Sequence, residues 1–383
     1  MRVVTNLSLS SFGGIERILA DIIGNSSDKL KPIFVTRSEG KKTQIFSYDS
    51  TRESASLPVI DKGEIPTFAI SKHFKEDWVS NYIKGDSTNF NFIEPYVEQL
   101  EMYLRRANPD VALVNSTNDL AYLLSEACKR VGVPYVAAVH GLHSIEVDID
   151  KRLSELSVIG GSDSVSYVSE HARKVAESTM GIIHPNSRVI YNSLDPRFIS
   201  LGDESNLDGV CWIGRNHRIK NLDLLLDIAR SNPQVQFRAI INPPIVGNKP
   251  INVSIHPPIQ NLQELSSFYR RHNFLVSTSL FETFGNVPLE AISCGTPALV
   301  PRTMGISDLF RLMGLSDLVI ESLEKEEYSR AMNELRGYRV PIKIRRELGE
   351  KFSAHKVAQN YIDLLESTAN STSTPAHKRI NYL

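Results

Sequence analysis

The 383-residue chain is long enough for two domains of ordinary size, and 41% hydrophobic with 23% charged residues excludes a disordered or fibrous protein. A net charge of -1 argues against a broad nucleic-acid-binding surface, leaving room only for a local basic patch. The three cysteines, Cys128, Cys211 and Cys294, stand far apart with no C-x-x-C pair, so no disulfide framework is expected and a reducing, cytoplasmic setting is.

The first ten residues carry one charge and then turn polar, too little apolar length for a signal peptide. No run reaches the ~18 apolar residues of a membrane span, while peripheral contact with the inner face of a membrane stays open. Met1 to Asn6 reads as a strand and Ile15 to Ile23 as an amphipathic helix, with Gly13-Gly14 as the turn between them. Ile33 to Val35 is a second strand. Residues 37–92 are weakly patterned, and shorter strands and loops are expected there. The pattern then predicts a helix at Tyr96–Ala107, strands at Val111–Val114 and Tyr135–Val139, and a helix at Leu120–Val131 between them. A strand at Ser164–Val168, a helix at Glu170–Thr179 and a strand at Arg188–Tyr191 complete the first half.

Asn192 to Pro196 reads as a hinge, after which a second α/β series begins. Strands are predicted at Val210–Ile213 and Phe237–Ile241, with helices at Leu222–Arg230 and Leu262–Tyr269. Phe274 to Val300 reads as strand, loop, helix, turn and strand. Within it Pro288 suits a first helical turn and Gly295 a left-handed stop. A helix near Ile306–Met313, a strand at Leu318–Ile320 and a long helix at Ala354–Ser367 follow, and the last residues read as a mobile tail. Alternating strands and helices in both halves imply two parallel-sheet domains flanked by helices.

The chemistry gathers in the second half. Arg215 and Lys220 fall in a strand-to-helix loop, where two cations beside a helix N-terminus suit a diphosphate; the alternative is a solvated basic loop. Glu282 sits in the loop after the neighbouring strand and Glu290 inside the next helix. The two carboxylates could form a hydrolytic acid and nucleophile pair. Gly285 and Asn286 between them favour a different use. Backbone N–H groups at Phe284, Gly285, Asn286 and Val287 would face an anion, Glu290 would suit a ribose diol, and Glu282 would suit sugar hydroxyls. In the first half, Gly13 and Gly14 would let backbone approach phosphate or acceptor. His140, at the carboxyl end of a buried strand, suits a substrate contact. His140, His143, Glu146, Asp148 and Asp150 raise a metal reading, but no second cluster completes a shell and no metal site is assigned. His171 and Arg173 either reach the same region or lie on a helix surface.

These residues carry a resemblance. The E-x7-E of Glu282 to Glu290, the G-R-x4-K-N of Gly214 to Asn221, Gly13-Gly14-Ile15-Glu16, Val139-His140-Gly141, Ser169-Glu170-His171 and the terminal F-S-A-H-K-V-A-Q-N-Y fall in the order seen in retaining glycosyltransferases of family 4. Asn192-Ser193-Leu194-Asp195 departs from the commoner N-G-V-D. The resemblance implies a GT-B fold, with two Rossmann-like domains facing a central cleft. The N-terminal, acceptor-binding domain would take residues 1–193 and the C-terminal, donor-binding domain 194–353. The helix 354–367 would cross back to the first domain, and 368–383 would be a flexible tail.

The resemblance also implies the roles. Arg215 and Lys220 would bind and stabilise the diphosphate, Glu282 would hold the transferred sugar and Glu290 the ribose. Gly14 and His140 would approach from the other domain. The donor would be a UDP- or GDP-sugar and the acceptor a saccharide, lipid-linked or protein-linked hydroxyl, within bacterial glycan or glycoconjugate assembly. No cofactor, metal or nucleic acid is implied. Two other readings stay open: a nucleotide-sugar epimerase or phosphorylase of the same architecture, and a non-catalytic sugar-nucleotide-binding subunit of a glycan assembly complex. Residues 37–92 would shape acceptor choice, and Lys72, Lys75 and Trp78 there are the candidates for membrane contact, against a solvated helix face.

Overall fold

The computed structural model describes residues 1–7, 14–26, 29–37, 67–70, 87–146, 151–202, 207–244, 249–371 and 381–382. They fall into two compact units, one running to Asn192 and resuming at Ala354, the other spanning Ser193–Ser353.

The first unit holds the strands β1 (Arg2–Leu7), β2 (Lys31–Arg37), β3 (Thr67–Ile70), β4 (Val111–Asn115), β5 (Tyr135–Val139), β6 (Ser164–Tyr167), β7 (Ile182–Ile183) and β8 (Ser187–Val189). Seven of them form one sheet in the order β3-β2-β1-β4-β5-β6-β8, with every pair parallel. Val-Ala-Leu-Val in β4 and Tyr-Val-Ala-Ala-Val in β5 are buried at every position, as strands covered by helices on both faces must be.

The second unit holds β9 (Val210–Arg215), β10 (Phe237–Asn242), β11 (Val253–His256), β12 (Phe274–Val276), β13 (Ala298–Pro301) and β14 (Val319–Ile320). These form a six-stranded parallel sheet in the order β11-β10-β9-β12-β13-β14. Both sheets therefore wind outward in opposite directions from a central pair, β1/β4 in one and β9/β12 in the other. The loops leaving the carboxyl ends of such a pair diverge and open a crevice.

The terminal helix Ala354–Asn370 belongs to the first unit. Val357, Tyr361, Leu364 and Leu365 lie on one stripe and bury against Leu19 and Ile22 of the helix Gly14–Gly24 and against Val3, Val111 and Val136 of the sheet. The Thr368 hydroxyl donates to Leu364 O at 2.8 Å and lies 2.9 Å from Ser164 Oγ. The predicted return of this helix to the N-terminal domain is thus what the structure shows.

Several elements differ from their sequence prediction. The helix expected from Tyr96 starts at Ser87 and runs through Pro95 to Ala107. Its buried stripe, Ile93, Val97, Leu100 and Leu104, crosses the proline, so packing carries the helix past the residue that should have ended it. Helices at Arg152–Gly160, Lys325–Glu334 and Ile342–Lys351, and the strand β11, were not predicted. Their sequences mix charge into short runs, and tertiary contact decides them. In the predicted tail, β15 (Asn381–Tyr382) pairs antiparallel with β7, because backbone pairing needs no apolar pattern. Of the weakly patterned 37–92, the described residues give only β3 and the start of the Ser87 helix; Lys72, Lys75 and Trp78 lie outside the described residues. Among the described residues no helix is long and apolar enough to cross a membrane.

Candidate functional site

The loops after β9 and β12 meet at the centre of the second sheet. Arg215 ends β9 with an exposed side chain. His217 Nδ1 accepts from Ile219 N at 3.3 Å and caps the 3-10 turn Arg218–Lys220, whose Ile219 is buried. Asn221 then takes the left-handed conformation, φ 49°, that launches the helix Leu222–Ser231. Two bonds stitch this turn to the loop after β12: Thr278 Oγ1 donates to Lys220 O at 2.8 Å, and Leu280 N donates to Ile219 O at 2.8 Å. Trp212 Nε1 in turn donates to Thr278 Oγ1 at 3.0 Å. The result is a fixed place for Lys220, whose Nζ lies 2.7 Å from Glu282 Oε1. Ser279 Oγ donates to the same oxygen at 2.7 Å. The Lys220 and Glu282 side chains keep 17% and 21% of their surface exposed, so both remain open to an incoming ligand. As an ion pair between half-buried groups they contribute only about 1 kcal/mol to stability.

Three residues beyond Glu282 the chain turns into the helix Asn286–Ser293. Gly285 takes φ 119°, and a Cβ there would lie 2.9 Å from Met304 Cε, so this turn admits only glycine. Without a side-chain cap at Gly285, the first N–H groups of the helix form an anion-favouring end. Pro288 falls in the first turn, where its missing N–H costs nothing. Phe284 is buried, its carbonyl accepting from Ile306 N at 2.7 Å and its ring centroid 6.2 Å from that of Phe352. Asn286 and Val287 are half-buried.

Glu290 lies one turn into the helix, half-buried, with Tyr269 OH donating to its Oε2 at 2.9 Å. Burial first, and the Glu290 charge second, push the Tyr269 phenol well above its ordinary pKa, so it stays a donor. The helix ends before Gly295, φ 90°, where a Cβ would meet the buried Arg345 guanidinium at 2.5 Å. Arg345 donates to Val340 O at 2.7 Å and Ser200 O at 3.1 Å and holds this end of the helix in place.

The first unit presents a different set of groups. At its central pair, Asn6 Nδ2 donates to Asn115 O and Asn115 N to Asn6 Oδ1, both at 2.7 Å, and Asn115 Nδ2 donates to Thr5 Oγ1 at 2.9 Å. His140 follows β5 with both ring nitrogens buried. Burial lowers its pKa to about 4, partly offset by a hydrogen bond with Asn192, so the ring is neutral at pH 7. Gly14 heads its helix, while Gly13 lies outside the described residues. Arg173 is engaged by Glu170 at 2.6 Å and Glu177 at 3.9 Å on its own helix, which fits a helix-surface residue rather than a site residue. For the metal reading, residues 147–150 lie outside the described residues, and among the described residues no His, Cys, Asp and Glu group could hold a metal ion.

The structure thus brings Lys220, Glu282, Phe284, Gly285, Asn286, Val287 and Glu290 together in the second unit, with Arg215 at the end of the same central strand. Sequence reasoning missed Ser279, Thr278 and Tyr269, which orient the charged groups. Ser and Thr in a loop carry no motif, and Tyr269 reads as the apolar end of its helix.

Two family models match the chain: one described as Glycosyltransferase Family 4 over residues 72–198, the other as Family 4 Glycosyltransferase in conflict systems over 228–360. The N-acetyl-alpha-D-glucosaminyl L-malate synthase of Bacillus anthracis is 22% identical over 67% of this chain and 74% of its own. A D-inositol 3-phosphate glycosyltransferase of Pseudarthrobacter chlorophenolicus is 31% identical over 25% of this chain and 27% of its own. Among solved structures, Anabaena Alr3699/HepE in complex with UDP-glucose aligns with a TM-score of 0.70 at 16% identity, covering 96% of this chain and 100% of that one. Sucrose-phosphate synthase from Thermosynechococcus elongatus aligns at 0.68 and 14% identity, covering 96% and 98%. The chain belongs to glycosyltransferase family 4, and its fold is GT-B.

Proposed function

We propose that the protein transfers a hexose-type sugar, with retention, from a nucleoside-diphosphate sugar to a hydroxyl acceptor. The observation that carries this reading is the Lys220–Glu282 pair, 2.7 Å apart and part-exposed, beside the uncapped helix start at Gly285. A cation and an anion-favouring helix end suit a diphosphate, and a carboxylate beside them suits the hydroxyls of the sugar it carries. UDP is the favoured nucleotide, supported by the UDP-glucose complex of the structurally similar Anabaena protein.

Arg215 and Lys220 draw the diphosphate and stabilise the charge it gains as the glycosidic bond breaks, the work a divalent cation would otherwise do. Glu282 exchanges part of its bond with Lys220 for sugar hydroxyls. Glu290, held by Tyr269, takes the ribose, and the backbone from Phe284 to Val287 meets phosphate and sugar. The first unit is assigned the acceptor, with Gly14 and the neutral His140 as its contact residues, the His140 ring accepting or donating one hydrogen bond. The acceptor hydroxyl attacks from the face the diphosphate leaves and gives its proton to the departing diphosphate oxygen, with no covalent nucleophile assigned. The setting is assembly of a bacterial glycan or glycoconjugate at the cytoplasmic side.

A panel of nucleotide sugars screened by thermal stabilisation identifies the donor. Release of nucleoside diphosphate is then measured with and without saccharide or lipid-linked acceptors, in the presence of EDTA. Acceptor-dependent, EDTA-resistant release is expected; acceptor-independent conversion of the sugar would instead mark an epimerase.

A further inference from the structure

We infer that Glu155 is a positioning residue for the acceptor side of the transfer, a single buried carboxylate that locks together the two loops leaving β4 and β5. The inference rests on the transferase reading above for its kinetic consequence, but its geometric content stands on the first unit alone.

Glu155 lies in the helix Arg152–Gly160 and is fully buried. Its Oε1 accepts from Thr117 Oγ1 at 3.1 Å, and Thr117 is the second residue past β4. The same oxygen accepts from Ser144 N at 3.3 Å, and its Oε2 accepts from Ser144 Oγ. Ser144 stands four residues after His140 in the short segment that follows β5. Three donors from two loops therefore converge on one side chain of a third element.

The β4 loop is also held in a costly conformation. Ser116 takes φ 70°, in the left-handed region an L side chain seldom adopts, and its N–H donates to Ala138 O at 2.9 Å. Such backbone persists only where its surroundings fix it. A buried carboxylate is likewise an expensive filler, since an apolar side chain of similar size would pack the space more cheaply. What an apolar residue could not do is fix the spacing of the β4 and β5 loops, the second of which carries His140. No motif reveals this, because Arg-Leu-Ser-Glu-Leu-Ser mixes charged, polar and apolar residues in a run too short to mark a buried carboxylate.

The test uses Glu155→Gln together with Thr117→Val and Ser144→Ala, which remove one donor each and guard against a variant that does not fold. Histidine-detected NMR follows the His140 titration, whose midpoint lies near 4 in the intact loop. Isothermal titration with UDP reports the second unit, and acceptor-dependent nucleoside diphosphate release reports turnover. In folded Glu155→Gln the His140 midpoint is expected to rise by at least about one unit as the ring gains water. Turnover is expected to fall at least tenfold, with UDP affinity within twofold of the parent. Ser144→Ala should reproduce more of the midpoint shift than Thr117→Val, because it frees the loop that bears His140. An unchanged midpoint and unchanged turnover in folded Glu155→Gln and Ser144→Ala would overturn the inference, as would a loss of UDP affinity parallel to the loss of turnover. A parent protein that turns over no donor would defeat the transferase reading instead, and the His140 titration would still decide the role of Glu155.

Discussion

The sheets of the two units share one order over six strands, to which the first adds β8, yet their central pairs carry opposite kinds of polar chemistry. In the second unit the loops after β9 and β12 keep Lys220 and Glu282 part-exposed and charged beside an uncapped helix start. In the first, the ends of β1 and β4 are tied by Asn6, Asn115 and Thr5, all buried and neutral. A sheet of this order creates a crevice wherever its winding reverses, but the residues at the reversal decide what the crevice does. Exposed charge can be re-partnered by a ligand at little cost, whereas a buried amide lock fixes geometry because breaking it leaves orphaned groups.

The largest effect should come from removing the cation. Lys220→Ala is expected to lower turnover by at least about 100-fold, about 3 kcal/mol of transition-state stabilisation, with the melting temperature little changed. Full activity in a folded Lys220→Ala protein would remove the second unit from the chemistry. Acid comes next, and it tests both units at once. His140 in the first and His272 in the second are each held near pKa 4 by burial, against an ordinary 6.5. The unfolded chain therefore binds protons that the folded chain refuses. Stability is complete above pH 6.5 and declines as pH falls toward 4, by up to about 3 kcal/mol for each ring. Denaturant melts from pH 7 to 4 should show this decline. In His272→Asn, which keeps an N–H for Phe268 O, the decline should be about half as steep.

Asn115→Ala separates the two central pairs directly. Losing the amide that donates to Thr5 should cost about 1–3 kcal/mol of stability while leaving UDP affinity unchanged, measured by melting and calorimetry on one preparation. The smallest effect belongs to Tyr269→Phe. Loss of one hydrogen bond to Glu290 should weaken donor binding about 5- to 10-fold, about 1 kcal/mol, with little change in turnover at saturating donor.

Much of the second unit's candidate site was legible in the chain because local sequence encodes it. Gly285 and Gly295 mark backbone that other residues cannot adopt, and the apolar runs of β9, β12 and β13 place their loops at one sheet edge. Glu282, Glu290, Arg215 and Lys220 are charged residues in fixed register with those strands. Periodicity also foresaw the terminal helix, though it could not extend the Ser87 helix through Pro95, where a stripe of buried contacts outweighs local propensity.

What the sequence determined by itself is the strand–helix alternation, the polarity of each loop and the family motifs, since each depends on residues within one or two turns of one another. Tertiary structure alone decided which oxygen of Glu282 faces Lys220 and Ser279, that Tyr269 holds Glu290, and that Glu155 joins Thr117 to Ser144. Those partners lie from 3 to 62 residues apart along the chain. Ser, Thr and Tyr acquire such roles only when folding desolvates them beside a charge, where an unmet donor or acceptor is costly.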